Sequence, residues 1–171
     1  MKKAITIRIL SLLALGAICI TACRSNNVGE RVRAPDFTLP DLDGNEVSLS
    51  DFKGKVIFLH FWTTRCPICR DEMPSVEVLY QRFKDKDFEL LAVSLDRQGS
   101  SAVEPFIRDY GLTFPILLDL DGKVARTYKV GGIPATFIVD KEGLIAERVV
   151  GARDWTASDS IKKFLSLIEK D

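Results

Sequence analysis

The residues of this chain best suited to chemistry lie in the run Phe61-Trp62-Thr63-Thr64-Arg65-Cys66-Pro67-Ile68-Cys69-Arg70-Asp71-Glu72-Met73-Pro74, where two cysteines are separated by two residues. Such a pair can close a small disulfide, and a thiol at the start of a helix has its thiolate stabilised by the macrodipole and by the unpaired N–H groups of the first turn. These are the requirements of dithiol–disulfide exchange. Cys66, ahead of the helix, is expected to be the exposed nucleophile, and Cys69, one turn in, to be shielded and to resolve a mixed disulfide. A static disulfide and half of a zinc site are the competing readings. Zinc asks for two further ligands, and after residue 23 the chain holds no other cysteine and only His60, so no metal is expected. Glu72 follows Cys69 by three residues, close to one helical turn. It is either a proton partner of Cys69 or a solvated carboxylate on the helix surface. His60, the sole histidine, is read first as a satisfied core residue and second as a group able to move protons near neutral pH.

The elements that must hold these side chains follow from the apolar pattern. Asp36 to Leu39 and Glu46 to Leu49 flank the turn-forming Asp41-Leu42-Asp43-Gly44 and predict a β-hairpin. Val56 to Trp62 is nearly all apolar and predicts a buried central strand. Pro67 to Lys84 carries helical spacing, with proline at the favoured first position. Phe88 to Leu95 predicts a strand, Ala102 to Tyr110 a helix, Phe114 to Leu118 a strand and Lys123 to Tyr128 a short helix. Gly131-Gly132-Ile133-Pro134 precedes the strand Thr136 to Val139, which turns at Asp140 to Gly143 into Leu144 to Val150. Thr156 to Lys170 closes the chain as an amphipathic helix. Strands alternating with helices predict an α/β domain with a mixed sheet whose last two strands form an antiparallel hairpin.

With 171 residues, 46% hydrophobic and 28% charged, the chain suits one globular domain. Its 24 basic and 24 acidic residues balance, but residues 1–22 contain Lys2, Lys3 and Arg8 and no acid, leaving 21 basic against 24 acidic residues. A mildly acidic domain argues against a nucleic-acid partner. The start itself has the layout of a secretory signal, with an apolar stretch from Ile9 to Ala22 shorter than the ~20 residues of a spanning helix. Ile20-Thr21-Ala22-Cys23 resembles the lipobox of bacterial lipoproteins, which implies lipidation of Cys23 and loss of Cys19 with the signal peptide. The expected organisation is a signal peptide over 1–22, a lipid-anchored flexible linker over 23–33 and a folded domain over 34–171. The working compartment would then be extracytoplasmic, where disulfides persist.

Several spaced markers together are more specific than the cysteines alone: Ala34-Pro35-Asp36-Phe37, Leu49 to Gly54, Phe61-Trp62 to Cys69, Glu72, Pro74 and Gly132-Ile133-Pro134-Ala135-Thr136-Phe137. On these, from Ala34 to about Trp155, the chain resembles the TlpA/ResA-like branch of the thioredoxin-like thiol:disulfide oxidoreductases, within the redoxin superfamily. The resemblance implies a thioredoxin-like fold extended by the N-terminal hairpin, and a cis-proline loop at Pro134 beside the disulfide. It implies that the Ile133 backbone pairs with substrate chains, and that Trp62, Arg65, Pro67, Ile133 and Pro134 form the substrate-contact surface. Glu72 would modulate the dithiol. The implied activity is reduction of protein disulfides, as in apocytochrome c maturation, with recharging by a membrane electron donor. His60 stands where thioredoxins themselves carry a buried acid. Arg65 replaces the usual Trp, and Pro67-Ile68 lacks the usual proline before the second cysteine, so the direction of electron flow is left open.

Two other functions use the same residues. Thiol peroxidases of the superfamily resemble Pro-x-x-x-Thr-x-x-Cys; Thr63 matches, but Leu59 stands at the proline. A Sco-like copper chaperone would need three residues between its cysteines and a distant histidine. Asp41 to Gly44 and Asp119 to Gly122 lack a full EF-hand ligand set and are read as turns.

Overall fold

The computed structural model describes residues 31–170. The expected signal peptide and the expected lipidation site, Cys23, therefore lie outside the described residues. The central strand, β3 (Val56–Trp62), is buried at all seven positions. It pairs in parallel with β4 (Phe88–Ser94) and antiparallel with β6 (Ala135–Val139). With β5 (Ile116–Leu118) and β7 (Ile145–Val150) the sheet runs β5-β4-β3-β6-β7, and β7 is antiparallel to β6. A two-stranded hairpin, β1 (Thr38–Pro40) with β2 (Glu46–Ser48), precedes it. This is the mixed sheet ending in an antiparallel hairpin that the sequence pattern predicts, and the thioredoxin-like fold with an N-terminal extension that the resemblance implies.

Alternation along β3 divides its side chains between two cores. Phe58 and Trp62 face a cluster covered by α1 (Pro67–Phe83), α2 (Ser100–Tyr110) and α4 (Ser158–Ile168). Ile57, Leu59 and Phe61 face the hairpin and α3 (Lys123–Thr127). His60, even-numbered, falls on the α1 and α4 side, and that parity alone decides which acid it meets.

The domain begins earlier than expected. Arg31 bonds Asp140 at 2.7 Å, the Val32 carbonyl accepts the Ile145 N–H at 2.8 Å and Arg33 bridges Leu144, so the last three residues of the expected linker belong to the folded body. The acids read as turns act as turns. Asp41 accepts the N–H groups of Asp43 and Asn45, and Asp119 those of Val124 and Ala125 at the start of α3. Among the described residues no helix is long and apolar enough to cross a membrane.

The C-terminal helix is pinned by one aromatic side chain. Phe164, fully buried, meets Phe58, Phe83, Phe88 and Trp155 with ring centroids 5.6 to 6.4 Å apart. Truncating it leaves a cavity bordered by α1, α4 and the sheet. Phe164→Ala is expected to destabilise the domain by about 3–5 kcal/mol, read as a lower urea midpoint at unchanged slope.

Candidate active site

The chain leaves β3 at Trp62 and must turn before α1 can begin. The turn is held from outside by Asp96, just beyond β4. Its carboxylate accepts the hydroxyl of Thr63 at 2.6 Å, the N–H and hydroxyl of Thr64 at 2.8 Å each, and the hydroxyl of Ser94 at 3.0 Å. Burial alone would raise the pKa of Asp96, but these four donors outweigh it and hold the group below the usual carboxylate value. Sequence reasoning passed over Asp96. The available signal was the Thr-Thr pair before Cys66 together with an acid directly after a buried strand.

Cys66 is the N-cap of α1, with Pro67 following it as the first helical residue. Its sulfur accepts the Cys69 N–H at 3.3 Å, and the two cysteines are joined by a disulfide with their Cα atoms 5.2 Å apart. The two sulfurs have different surroundings. Cys66 is half-buried and flanked by exposed Arg65, Pro67 and Ile68, whereas Cys69 is fully buried in the core. An outer sulfur at a helix N-terminus and an inner one inside the first turn are what an attacking and a resolving thiol require. The bond from Ile133 to Pro134 is cis, with Ile133 half-buried and Pro134 buried.

Trp62 does not belong to the contact surface expected of it. Its side chain is fully buried against Phe106, because its position in β3 turns it towards the α1 side of the sheet. Glu72 is not a solvated surface group, being 3% exposed. Its Oε1 accepts the Trp155 indole N–H and, at 3.1 Å, the Arg153 backbone N–H. Burial pushes its carboxyl above the usual range, and these two bonds only partly offset the shift. His60 is fully buried and shares a 2.9 Å hydrogen bond through Nδ1 with the Thr136 hydroxyl, which is its cross-strand neighbour. Burial pushes its pKa down to about 3, so the imidazole is neutral at physiological pH. Arg153 and Trp155 carry no local sequence signal, since they approach α1 from about eighty residues away.

A mixed five-stranded sheet, a helix opening on Cys-x-x-Cys and a cis-proline loop define a thioredoxin-like dithiol oxidoreductase. Residues 31–148 match the family model described as the AhpC/TSA family. The thiol-disulfide oxidoreductase ResA of Bacillus thuringiensis (strain Al Hakam) is 42% identical over 118 residues, covering 69% of this chain and 68% of the relative. The ResA of B. thuringiensis subsp. konkukian (strain 97-27) is 34% identical over 173 residues, covering 98% of each chain. Among solved structures, a thiol:disulfide interchange protein DsbE from Chlorobium tepidum superposes with a TM-score of 0.74 at 32% identity, covering 81% of this chain and 96% of that one. StoA from Bacillus subtilis gives 0.65 at 30% identity, over 77% and 97%. The chain belongs to the AhpC/TSA family, and within it to the ResA-like thiol-disulfide oxidoreductases.

Two of the buried carboxylates, Asp96 and Glu72, predict opposite pH effects. Asp96 binds its proton less tightly folded than unfolded, so its contribution is present above its ordinary value of 3.8 and is lost as pH falls through its folded pKa. Glu72 binds its proton more tightly folded, so its ionisation lowers stability as pH rises above 4.5. Glu72→Gln is therefore expected to gain thermal stability relative to the parent on going from pH 5 to pH 8, while Asp96→Asn loses stability at both. Melting curves at the two pH values check both.

Proposed function

We propose that this oxidoreductase is a lipid-anchored, extracytoplasmic reductase of protein disulfides. The observation that carries the reading is the asymmetry of the two sulfurs, Cys66 half-buried at the head of α1 and Cys69 sealed beneath it. In the reduced enzyme the Cys66 thiolate attacks a substrate disulfide, forming a mixed disulfide and releasing one substrate thiolate. Cys69 then attacks the Cys66 sulfur, releasing the second substrate thiolate and leaving the Cys66–Cys69 disulfide. Ile133 and Pro134 would dock the substrate backbone, and exposed Arg65 and Pro67 would meet its side chains. A membrane electron donor would return the disulfide to the dithiol, and apocytochrome c is the type of substrate the resemblance implies. Glu72, one turn beyond Cys69, would exchange protons with the inner thiol.

Anchoring rests on Cys23 in its lipobox-like context, outside the described residues. Acyl chains add about 0.8 kcal/mol per buried CH2, so two or three of them hold a domain of this size at a membrane. The peroxidase reading is disfavoured by Leu59, which points into the core at the place of the peroxidase proline. The copper chaperone reading is disfavoured by His60, whose Nδ1 is engaged by Thr136 inside the sheet.

Cys69→Ser is expected to accumulate mixed disulfides with cellular proteins on non-reducing gels, and Cys66→Ser to accumulate none. Equilibration of the soluble fragment with glutathione is expected to give a reduction potential near ~−270 mV or lower, and a value near ~−120 mV would make the protein a disulfide donor instead.

A further inference from the structure

Three buried side-chain atoms lack any hydrogen-bond partner among the described residues, and two of them face each other: Nε2 of His60 and Oε2 of Glu72, 3.8 Å apart with both side chains wholly buried. Two orphaned polar atoms in a core are costly, and a shared proton is the least expensive remedy. Each group's other atom is already committed. Glu72 Oε1 accepts two N–H donors, so a proton on this carboxyl sits on Oε2. His60 Nδ1 is bonded to the Thr136 hydroxyl, which can either accept from it or donate to it.

We propose that His60 and Glu72 are a buried pair holding one proton between Nε2 and Oε2, in which His60 is a positioning residue that sets the proton affinity of the acid one turn beyond Cys69. The deepening is of the dithiol reading, since an acid in this place matters to the enzyme through the inner thiol. With Glu72 protonated, Oε2–H donates to Nε2 and Nδ1–H donates to Thr136. With Glu72 ionised, the imidazole takes the other tautomer, so that Nε2–H donates to the carboxylate and the Thr136 hydroxyl donates to Nδ1. The ring stays neutral in both states. That accords with its burial, which disfavours imidazolium and carboxylic acid ionisation alike.

The surroundings contain few competing charges. Arg153 lies over the Trp155 ring, 5.2 Å from its centroid, and is paired with Glu147 at 2.9 Å, which also meets Lys163. Cys69 is the other titratable group on the buried side of α1, while β3 and β6 present Phe58, stacked on the imidazole, and Thr136, bonded to it, neither of them charged.

Because His60 is the only histidine, its ring nitrogens are the only imidazole signals of the full chain. Long-range proton–nitrogen spectra of the uniformly 15N-labelled protein, in the oxidised and the dithiothreitol-reduced state from pH 5 to 9, are expected to show a neutral ring changing tautomer from Nδ1–H to Nε2–H. The step should track the carboxyl carbon signal of Glu72. In Glu72→Gln, whose amide imitates the protonated acid, the Nδ1–H tautomer should persist throughout. His60→Phe, which removes the donor to the ionised acid, should raise the Glu72 midpoint so that the acid is about tenfold more protonated at a given pH. A ring that becomes positively charged near pH 6.5, one tautomer over the whole range in the parent, or an unmoved Glu72 midpoint in His60→Phe would each overturn the pair. No substrate enters these spectra. An enzyme that failed to reduce disulfides would leave the pair standing, and a normal reductase without the tautomer step would refute the pair alone.

Discussion

A strand buried on both faces and hydrogen-bonded along both edges has no freedom to slide, and β3 is such a strand. Its parallel partner β4 and antiparallel partner β6 fix its register from Val56 to Trp62. Slipping by one residue would exchange the two cores and drive His60 among the apolar side chains under α3. The rest of the site inherits this constraint. Trp62 ends the strand, Asp96 leaves β4 where it can gather Thr63 and Thr64, and Pro134 enters β6 on the other side. The sulfurs are thus placed by three strand ends that converge at one end of the sheet, a common place for chemistry in α/β folds.

Of the carboxylates buried near this end of the sheet, Asp96 and Glu72 have environments that push them apart. Asp96 sits among four donors shared over both oxygens, so its ionised form is satisfied and its loop is tied to the sheet. Glu72 has both of its donors on one oxygen and faces a neutral ring with the other. The first is therefore a fixed negative post that shapes the Cys66 turn. The second has one oxygen free of N–H donors and a raised proton affinity, as the role proposed for it at the inner thiol would require. Desolvation raises both carboxyls, and at Asp96 the four donors outweigh it, whereas the two donors of Glu72 do not.

Local pattern carried the order of elements, because strands and helices of three to seventeen residues are written in the spacing of neighbouring apolar side chains. The Cys66/Cys69 pair was legible for the same reason, as spacing, proline and helix start are neighbours in the chain. What escaped was set by contacts between distant segments. Glu72 lies at a position where the sequence allows either a surface or a core side chain, and Trp155, arriving from beyond β7, decides it. Trp62 looked available because it adjoins the motif, yet strand parity sends it inward. His60 was half legible: its burial followed from the apolar run around it, but the orphaned Nε2 depends on which face of α1 lies above.

The exposed residues around Cys66 bear on partner choice in a way the buried ones do not. Thiol exchange needs little binding energy beyond what aligns two sulfurs, so a small surface suffices. Here it comprises Ile68, 49% exposed, between the cationic Arg65 and Arg70, the latter bonded to Tyr110 and lying over its ring. In the proposed docking mode, an apolar tip flanked by guanidinium groups would suit extended partners carrying acidic side chains near an apolar one, and a cationic neighbour is in general a setting that favours a thiolate. In the proposed reductase a single arginine before Cys66 would act on both recognition and reactivity, so that a change at Arg65 would move the two together.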